Sequence, residues 1–161
     1  MSDPTPETAE LVVAGGEHVP ALLRAVEELL GEQAASWGEP VGPHGEQTIS
    51  AGGKRLRPLL LVLVAGEPAD PGDAARLVRG ATAIELVHSA TLVHDDVLDK
   101  AALRRGRPTV HSTAGPEMAT STGDLLFARA FTLVAEAGDM VTVRALSEAC
   151  SSLALGELVQ R

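Results

Sequence analysis

The stretch Ala81–Asp99, ATAIELVHSATLVHDDVLD, decides the fold. At about 100° per residue it closes into one helix, with Ile84, Val87 and Thr91 on one stripe and Leu86, Val93 and Val97 on its neighbour. Asp95, Asp96 and Asp99 end it. Asp95 and Asp99 are one turn apart, so they leave the same face about 6 Å apart along the axis. Like charges at that spacing repel, and carboxylates at a helix C-terminus oppose the macrodipole. A divalent cation reverses the sign of the repulsion, because hard oxygen ligands are what magnesium accepts. His88, seven residues before Asp95, lies near the same azimuth about 10 Å back along the axis. The helix end therefore reads as a metal site rather than as a solvated acidic terminus.

Outward from this stretch the pattern stays helical. Asp70-Pro71 supplies an N-cap and a first-turn proline, so the central helix is expected from Pro71 to Asp99. Upstream, Leu22, Leu23, Val26, Leu29 and Leu30 recur at three- and four-residue steps, and the run Gly38 to Pro43 stops that helix. A short connector leads to GGKRLRP at Gly52–Pro58, after which Leu59–Ala65 continue as a buried helix. Downstream, Lys100–Gly115 reads as a loop, and helices are expected over Pro116–Ala137 and Met140–Arg161. Residues 1–16, with Pro4, Pro6, Gly15 and Gly16, read as a mobile lead-in, and 17–161 as one helical domain. No strand pattern is visible. The fold class is all-α.

Totals narrow the function. Hydrophobic residues make up 45% of the 161, yet the aromatics are only Trp37, Phe127 and Phe131, so the core is Leu, Val and Ala. That composition suits close-packed helices. A net charge of −9 argues against a general nucleic-acid binder. The single cysteine, Cys150, fits a small buried hydrophobe in a reducing compartment. The first residues have neither a basic nor an apolar segment, so no signal peptide is expected, and Leu59–Ala65 is too short to span a bilayer. The chain reads as cytoplasmic.

Two cationic clusters flank the acidic helix. Lys54, Arg55 and Arg57 stand at a helix start behind Gly52 and Gly53, which let a ligand approach the backbone. The spacing is not that of a Walker loop, and no Ser or Thr follows Lys54. Arg104, Arg105 and Arg107 follow the acidic motif at once. Each cluster alone is compatible with a solvated basic turn. One arrangement that uses all of them is a pocket for two polyanions, one bridged by metal and one held by cations.

At this point the chain resembles the trans-isoprenyl diphosphate synthases, all-helical prenyltransferases that extend an allylic diphosphate with isopentenyl diphosphate. GGKRLRP, His88 with Ser89, HDDVLD, RRGRPTVH and GDLLFARAF occur in that family's order and spacing. The resemblance implies a helical bundle forming the N-terminal half of the isoprenyl synthase fold. It implies that Asp95, Asp96 and Asp99 bind the allylic diphosphate through Mg2+, with Arg104 clamping the same diphosphate. Lys54, Arg57, His88 and Arg105 correspond to the cationic site for isopentenyl diphosphate, and Glu157 and Gln160 to a helix lining the cavity. His94 is expected to be structural, and His111 carries no assignment. Family members with a bulky aromatic near the position of Ala90 stop at short products; with alanine there, a product longer than farnesyl is implied.

One departure matters. The family carries a second aspartate-rich motif in a C-terminal half, and no second DDxxD occurs in this sequence. Three readings follow: a subunit of a split, heteromeric synthase that is inactive without a partner carrying the second motif, a non-catalytic regulatory or prenyl-diphosphate-binding relative, or a fragment of a longer synthase. The intact first-half residues favour the split enzyme. A terpene cyclase also uses DDxxD, but GGKRLRP and RRGRP serve a second diphosphate that a cyclase does not bind. Self-association through the helices after Pro116 is also implied, as in the family's dimers.

Overall fold

A computed structural model describes the backbone of residues 6–160 and the side chains of residues 8–159. The chain runs α1 (Pro6–Ala14), α2 (His18–Ala35), α3 (Gly42–Ser50), α4 (Leu56–Ala65), α5 (Pro71–Leu98), β1 (Leu103–Arg104), β2 (Arg107–Pro108), α6 (Val110–Ala114), α7 (Pro116–Glu136) and α8 (Met140–Gln160). The central helix begins as expected. Asp70 lies in extended backbone, its carboxylate accepts from Asp73 N–H at 2.9 Å, and Pro71 fills the first turn.

The core forms where α5 meets α7, the most extensive helix pair among the described residues. Small residues let the two axes approach: Ala83 and Ala90 on α5 and Ala119 and Ala130 on α7 have no exposed surface. Leu86 and Leu126 fill the space between them, and α2 adds Val26 and Leu30 from the side. Each fully buried leucine of this kind contributes about 1.5–3 kcal/mol of transfer free energy. A second cluster, Val19, Leu22, Leu59 and Val62, joins α2 to α4.

The structure differs from the sequence reading in four places. Within the stretch read as a lead-in, Pro6–Ala14 form a helix; residues 1–5 lie outside the described residues. The connector before GGKRLRP holds α3, hidden in the sequence because Gly42, Pro43 and Gly45 read as breakers. Those glycines have another cause: any side chain at Gly42 would meet the Trp37 backbone, and any at Gly45 the Trp37 ring. The loop after Asp99 contains an antiparallel two-residue ladder, Leu103 opposite Pro108 and Arg104 opposite Arg107, and then the short helix α6. Arg105 and Gly106, both at positive φ, make the turn between the strands. Finally, the run Leu59–Ala65 read as buried is so only on one face: Leu59 and Val62 are buried while Leu60 and Val64 are exposed, and α4 starts at Leu56 with Pro58 in its first turn as expected.

Helix α8 lies against α7 and buries Leu146. Beyond that residue its apolar side chains face outward, with Leu153, Leu155, Leu158 and Val159 exposed by 54, 64, 74 and 86%. No described helix is long and apolar enough to cross a membrane.

Candidate functional site

The C-terminal end of α5 presents three carboxylates in different surroundings. Asp99 is exposed at the C-cap, where its N–H donates to the Asp95 carbonyl at 2.8 Å. Asp95 is half-buried, and its carboxyl is held above the ordinary range: burial is the main cause, then Glu157 reaching over from α8, with Asp99 and Asp96 adding to it and Arg104 opposing. Asp96 is buried and turned toward the β-hairpin, where it accepts from Arg104 Nε at 2.8 Å. Grouped with the metal ligands on sequence, Asp96 is thus engaged by an arginine, because the residue after Asp95 points about 100° further round the helix. Among the described residues no three His, Cys, Asp or Glu side chains converge on one point. Asp95 and Asp99, one turn apart, are a pair of hard oxygen donors. That set suits magnesium, which commonly takes one or two protein carboxylates and completes its shell with substrate phosphates and water.

Beside this acidic end lies an open cleft of about 520 Å³. Lys54, Arg57, His88 and Arg105 line it together with Gly52, Gly53, Arg55, Glu85 and Arg107. The structure therefore brings four separately expected cationic or imidazole groups, from three parts of the chain, to one opening. His88 is shifted below the usual histidine range by burial, then by Arg57, with Arg105 and Arg104 acting in the same direction and Glu85 against them. It is consequently a neutral hydrogen-bonding group at neutral pH. A smaller cavity lined by His88, Ser89, Asp96, Arg104 and Thr109 lies between the cleft and the acidic helix end.

The two cationic loops touch each other. Arg105 donates from Nη1 to the Gly52 carbonyl, and a side chain at Gly53 would come within 3.1 Å of that same nitrogen. Gln47 Nε2 donates to the Pro108 carbonyl at 3.2 Å, tying α3 to the hairpin. Thr109 caps α6 through Ser112 N–H and donates to the Ala101 carbonyl at 2.6 Å, which fixes where the hairpin leaves α5.

Arg55, grouped on sequence with Lys54 and Arg57 as a cation at the helix start, is instead engaged with the fold. It is in the left-handed region (φ 46°, ψ 37°), and its guanidinium reaches Glu27 at 2.6 Å and Glu85 at 2.9 Å. Its partners are 28 and 30 residues away, so no local pattern announces them. His94 stacks near Phe127, with ring centroids 5.7 Å apart, and its Nε2 approaches the Thr120 carbonyl at 3.3 Å. Any side chain at Gly123 would run into that ring, which gives the glycine of GDLLFARAF a packing role. His111 is half-buried, with Nδ1 unpaired among the described residues. Ala90, the position that the resemblance ties to product length, is sealed in the α5–α7 core. Glu157 stands near Asp95, while the Gln160 side chain lies outside the described residues.

Known proteins share this fold. Residues 41–161 match the family model described as polyprenyl synthetase. The heptaprenyl diphosphate synthase component 2 of Geobacillus stearothermophilus is 41% identical over 140 residues, covering 86% of this chain and 42% of that protein. A decaprenyl diphosphate synthase structure from Rhodobacter capsulatus superposes with a TM-score of 0.81 at 34% identity, covering 95% of this chain and 46% of that one. The polyprenyl synthase from Caulobacter crescentus CB15, complexed with calcium and isoprenyl diphosphate, gives 0.78 at 32% identity, over 95% of this chain and 45% of that one. The chain spans about two-fifths of the length of the curated relatives it matches. The all-helical fold expected from the sequence is the one these structures share over somewhat less than half their length.

Proposed function

We propose that this chain, which belongs to the polyprenyl synthetase family, supplies one wall of a prenyltransferase site that condenses isopentenyl diphosphate with an allylic diphosphate. The observation that carries the reading is the single cleft formed by Lys54, Arg57, His88 and Arg105 beside the acidic end of α5. A diphosphate bears several negative charges on fixed oxygens. Lysine and arginine donors reaching it from two loops, with a neutral imidazole between them, match that charge and geometry. In this reading the cleft anchors isopentenyl diphosphate.

Asp95 and Asp99 would hold Mg2+, which when bound neutralises the diphosphate of the allylic substrate. Arg104, oriented by Asp96, donates to that same diphosphate and stabilises the charge it gains as the allylic carbon–oxygen bond breaks. The cleft residues hold the second substrate so that its double bond faces the electron-poor carbon, which converts an encounter into a positioned reaction. A proton then leaves to the departing diphosphate, so no side-chain base is required.

Relatives include heptaprenyl and decaprenyl synthases, which supports a product longer than farnesyl; Ala90, sealed in the α5–α7 core, carries no part of that reading. Asp95 and Asp99 surround a diphosphate from one side only. The facing acidic wall comes, in this reading, from beyond residues 1–161, carried by a second polypeptide or by the same one. The relative named as a component 2 supports a heteromeric arrangement, and the outward apolar residues of α8 provide a face for such a neighbour. A cytoplasmic enzyme is part of the same proposal.

The test is condensation of isopentenyl diphosphate with an allylic primer by the purified 161-residue chain, alone and with a polypeptide bearing a second DDxxD helix. Turnover only in the presence of the second polypeptide supports the reading. Robust turnover by the lone chain overturns the need for a facing wall. In parallel, calorimetry should show Lys54→Ala and Arg57→Ala weakening isopentenyl diphosphate more than the allylic substrate. Equal losses for both would mean that the two substrates share one site.

A further inference from the structure

Arg55 stands between Lys54 and Arg57 yet is engaged with the fold. Its Nε donates to Glu27 on α2 at 2.6 Å, its Nη1 to Glu85 on α5 at 2.9 Å, and its Nη2 to the Ile49 carbonyl on α3 at 3.1 Å. Only 11% of its side chain is exposed, and 6% of that of Glu85. The backbone of Arg55 is left-handed, a conformation that a non-glycine residue keeps only where its surroundings over-determine it. The next residue begins α4, so the turn at Arg55 sets the direction in which Lys54 and Arg57 leave the chain. A planar fork with five donors can meet acceptors on three helices at once; an ammonium group at the end of a flexible stem cannot do so in a fixed geometry.

The charge of this cluster points away from a ligand role. Arg55 and Glu85 reach the wall of the cleft, and two carboxylates against one guanidinium leave a net negative group there among the cations. By field alone the cluster opposes anion binding, so its contribution is geometric.

We propose that Arg55 is a positioning residue: held by Glu27, Glu85 and the Ile49 carbonyl, it fixes the left-handed turn from which Lys54 and Arg57 reach a diphosphate, and makes no contact with that ligand itself. This rests on the reading of the cleft as a diphosphate site. The experiment is calorimetric titration of the chain with inorganic pyrophosphate, with Arg57→Ala as the reference for a ligand residue. The triple variant Arg55→Met, Glu27→Gln, Glu85→Gln removes the guanidinium without leaving a buried unpaired charge, and makes the local charge less negative. Electrostatics then favours equal or tighter binding, whereas loss of positioning weakens it by about tenfold, since two long side chains must be ordered anew on binding. Arg55→Lys, which keeps the charge and loses the fork, should show the same loss, with faster amide exchange confined to residues 52–57 and an unchanged far-ultraviolet spectrum. Pyrophosphate affinity lost in Arg57→Ala but retained in the triple variant or in Arg55→Lys overturns the positioning role alone. No pyrophosphate binding by the unaltered chain overturns the cleft reading and the positioning role with it.

Discussion

Asp95 and Asp96 are adjacent, yet replacing them should move stability in opposite directions. Asp96 accepts from Arg104 Nε at 2.8 Å, with 7% of the aspartate and 36% of the arginine side chain exposed. A hydrogen bond involving a charged group contributes about 1.5–3 kcal/mol. The partial exposure of Arg104 brings this pair to about 1–2 kcal/mol. At about 2–4 °C per kcal/mol for a chain of this size, Asp96→Ala should lower Tm by roughly 2–8 °C. Asp95 is in the opposite balance, since burial and Glu157 outweigh Arg104 and disfavour its charge. Asp95→Asn therefore leaves Tm at pH 7 unchanged or raises it. Ligand reverses the order. Magnesium with pyrophosphate at about 100 times Kd stabilises the native state by about 2.7 kcal/mol, and Asp95→Asn should forfeit that increment while Asp96→Ala keeps part of it. Differential scanning fluorimetry at pH 7, with and without magnesium and pyrophosphate, reads all of these. If Asp95→Asn melts as low as Asp96→Ala without ligand, or keeps the full ligand increment, the division of labour between the two carboxylates is refuted.

His88 is expected to give a pH signature. Its folded value lies below the ordinary 6.5 through burial and Arg57, so its contribution to stability is present above that value and lost as pH falls through the folded value. His88→Gln should flatten the dependence of Tm between pH 7.5 and pH 5; an unchanged slope would locate the titration elsewhere. Ala90→Tyr places a ring where no surface is exposed, so it should destabilise by about 1–3 kcal/mol. Urea unfolding that leaves the midpoint of Ala90→Tyr where it stands in the unaltered chain would count against that burial.

The legible parts of this molecule were those with short-range causes. Asp70 and Pro71 mark the start of α5 because an N-cap and its acceptor are three residues apart, and the helix ends within one residue of the expected place. Asp95, Asp99 and the cationic clusters were readable because charge at helical spacing demands an explanation. What stayed hidden depends on distant partners. Gly42 and Gly45 look like breakers until Trp37 is seen against them. Arg55 reads as one more surface cation until Glu27 and Glu85 arrive from other helices. Asp96 looks equivalent to Asp95 until the hairpin returns Arg104 to it.

The bond from Arg105 to the Gly52 carbonyl means that an anion entering the cleft does not find that guanidinium idle. With five N–H donors on its fork, Arg105 can keep that carbonyl and still turn its remaining N–H groups to the anion. The carbonyl belongs to the loop that carries Lys54, so one guanidinium ties the backbone behind the second donor to the hairpin that carries the first. The spacing between the two cationic loops is in this way set before a ligand arrives.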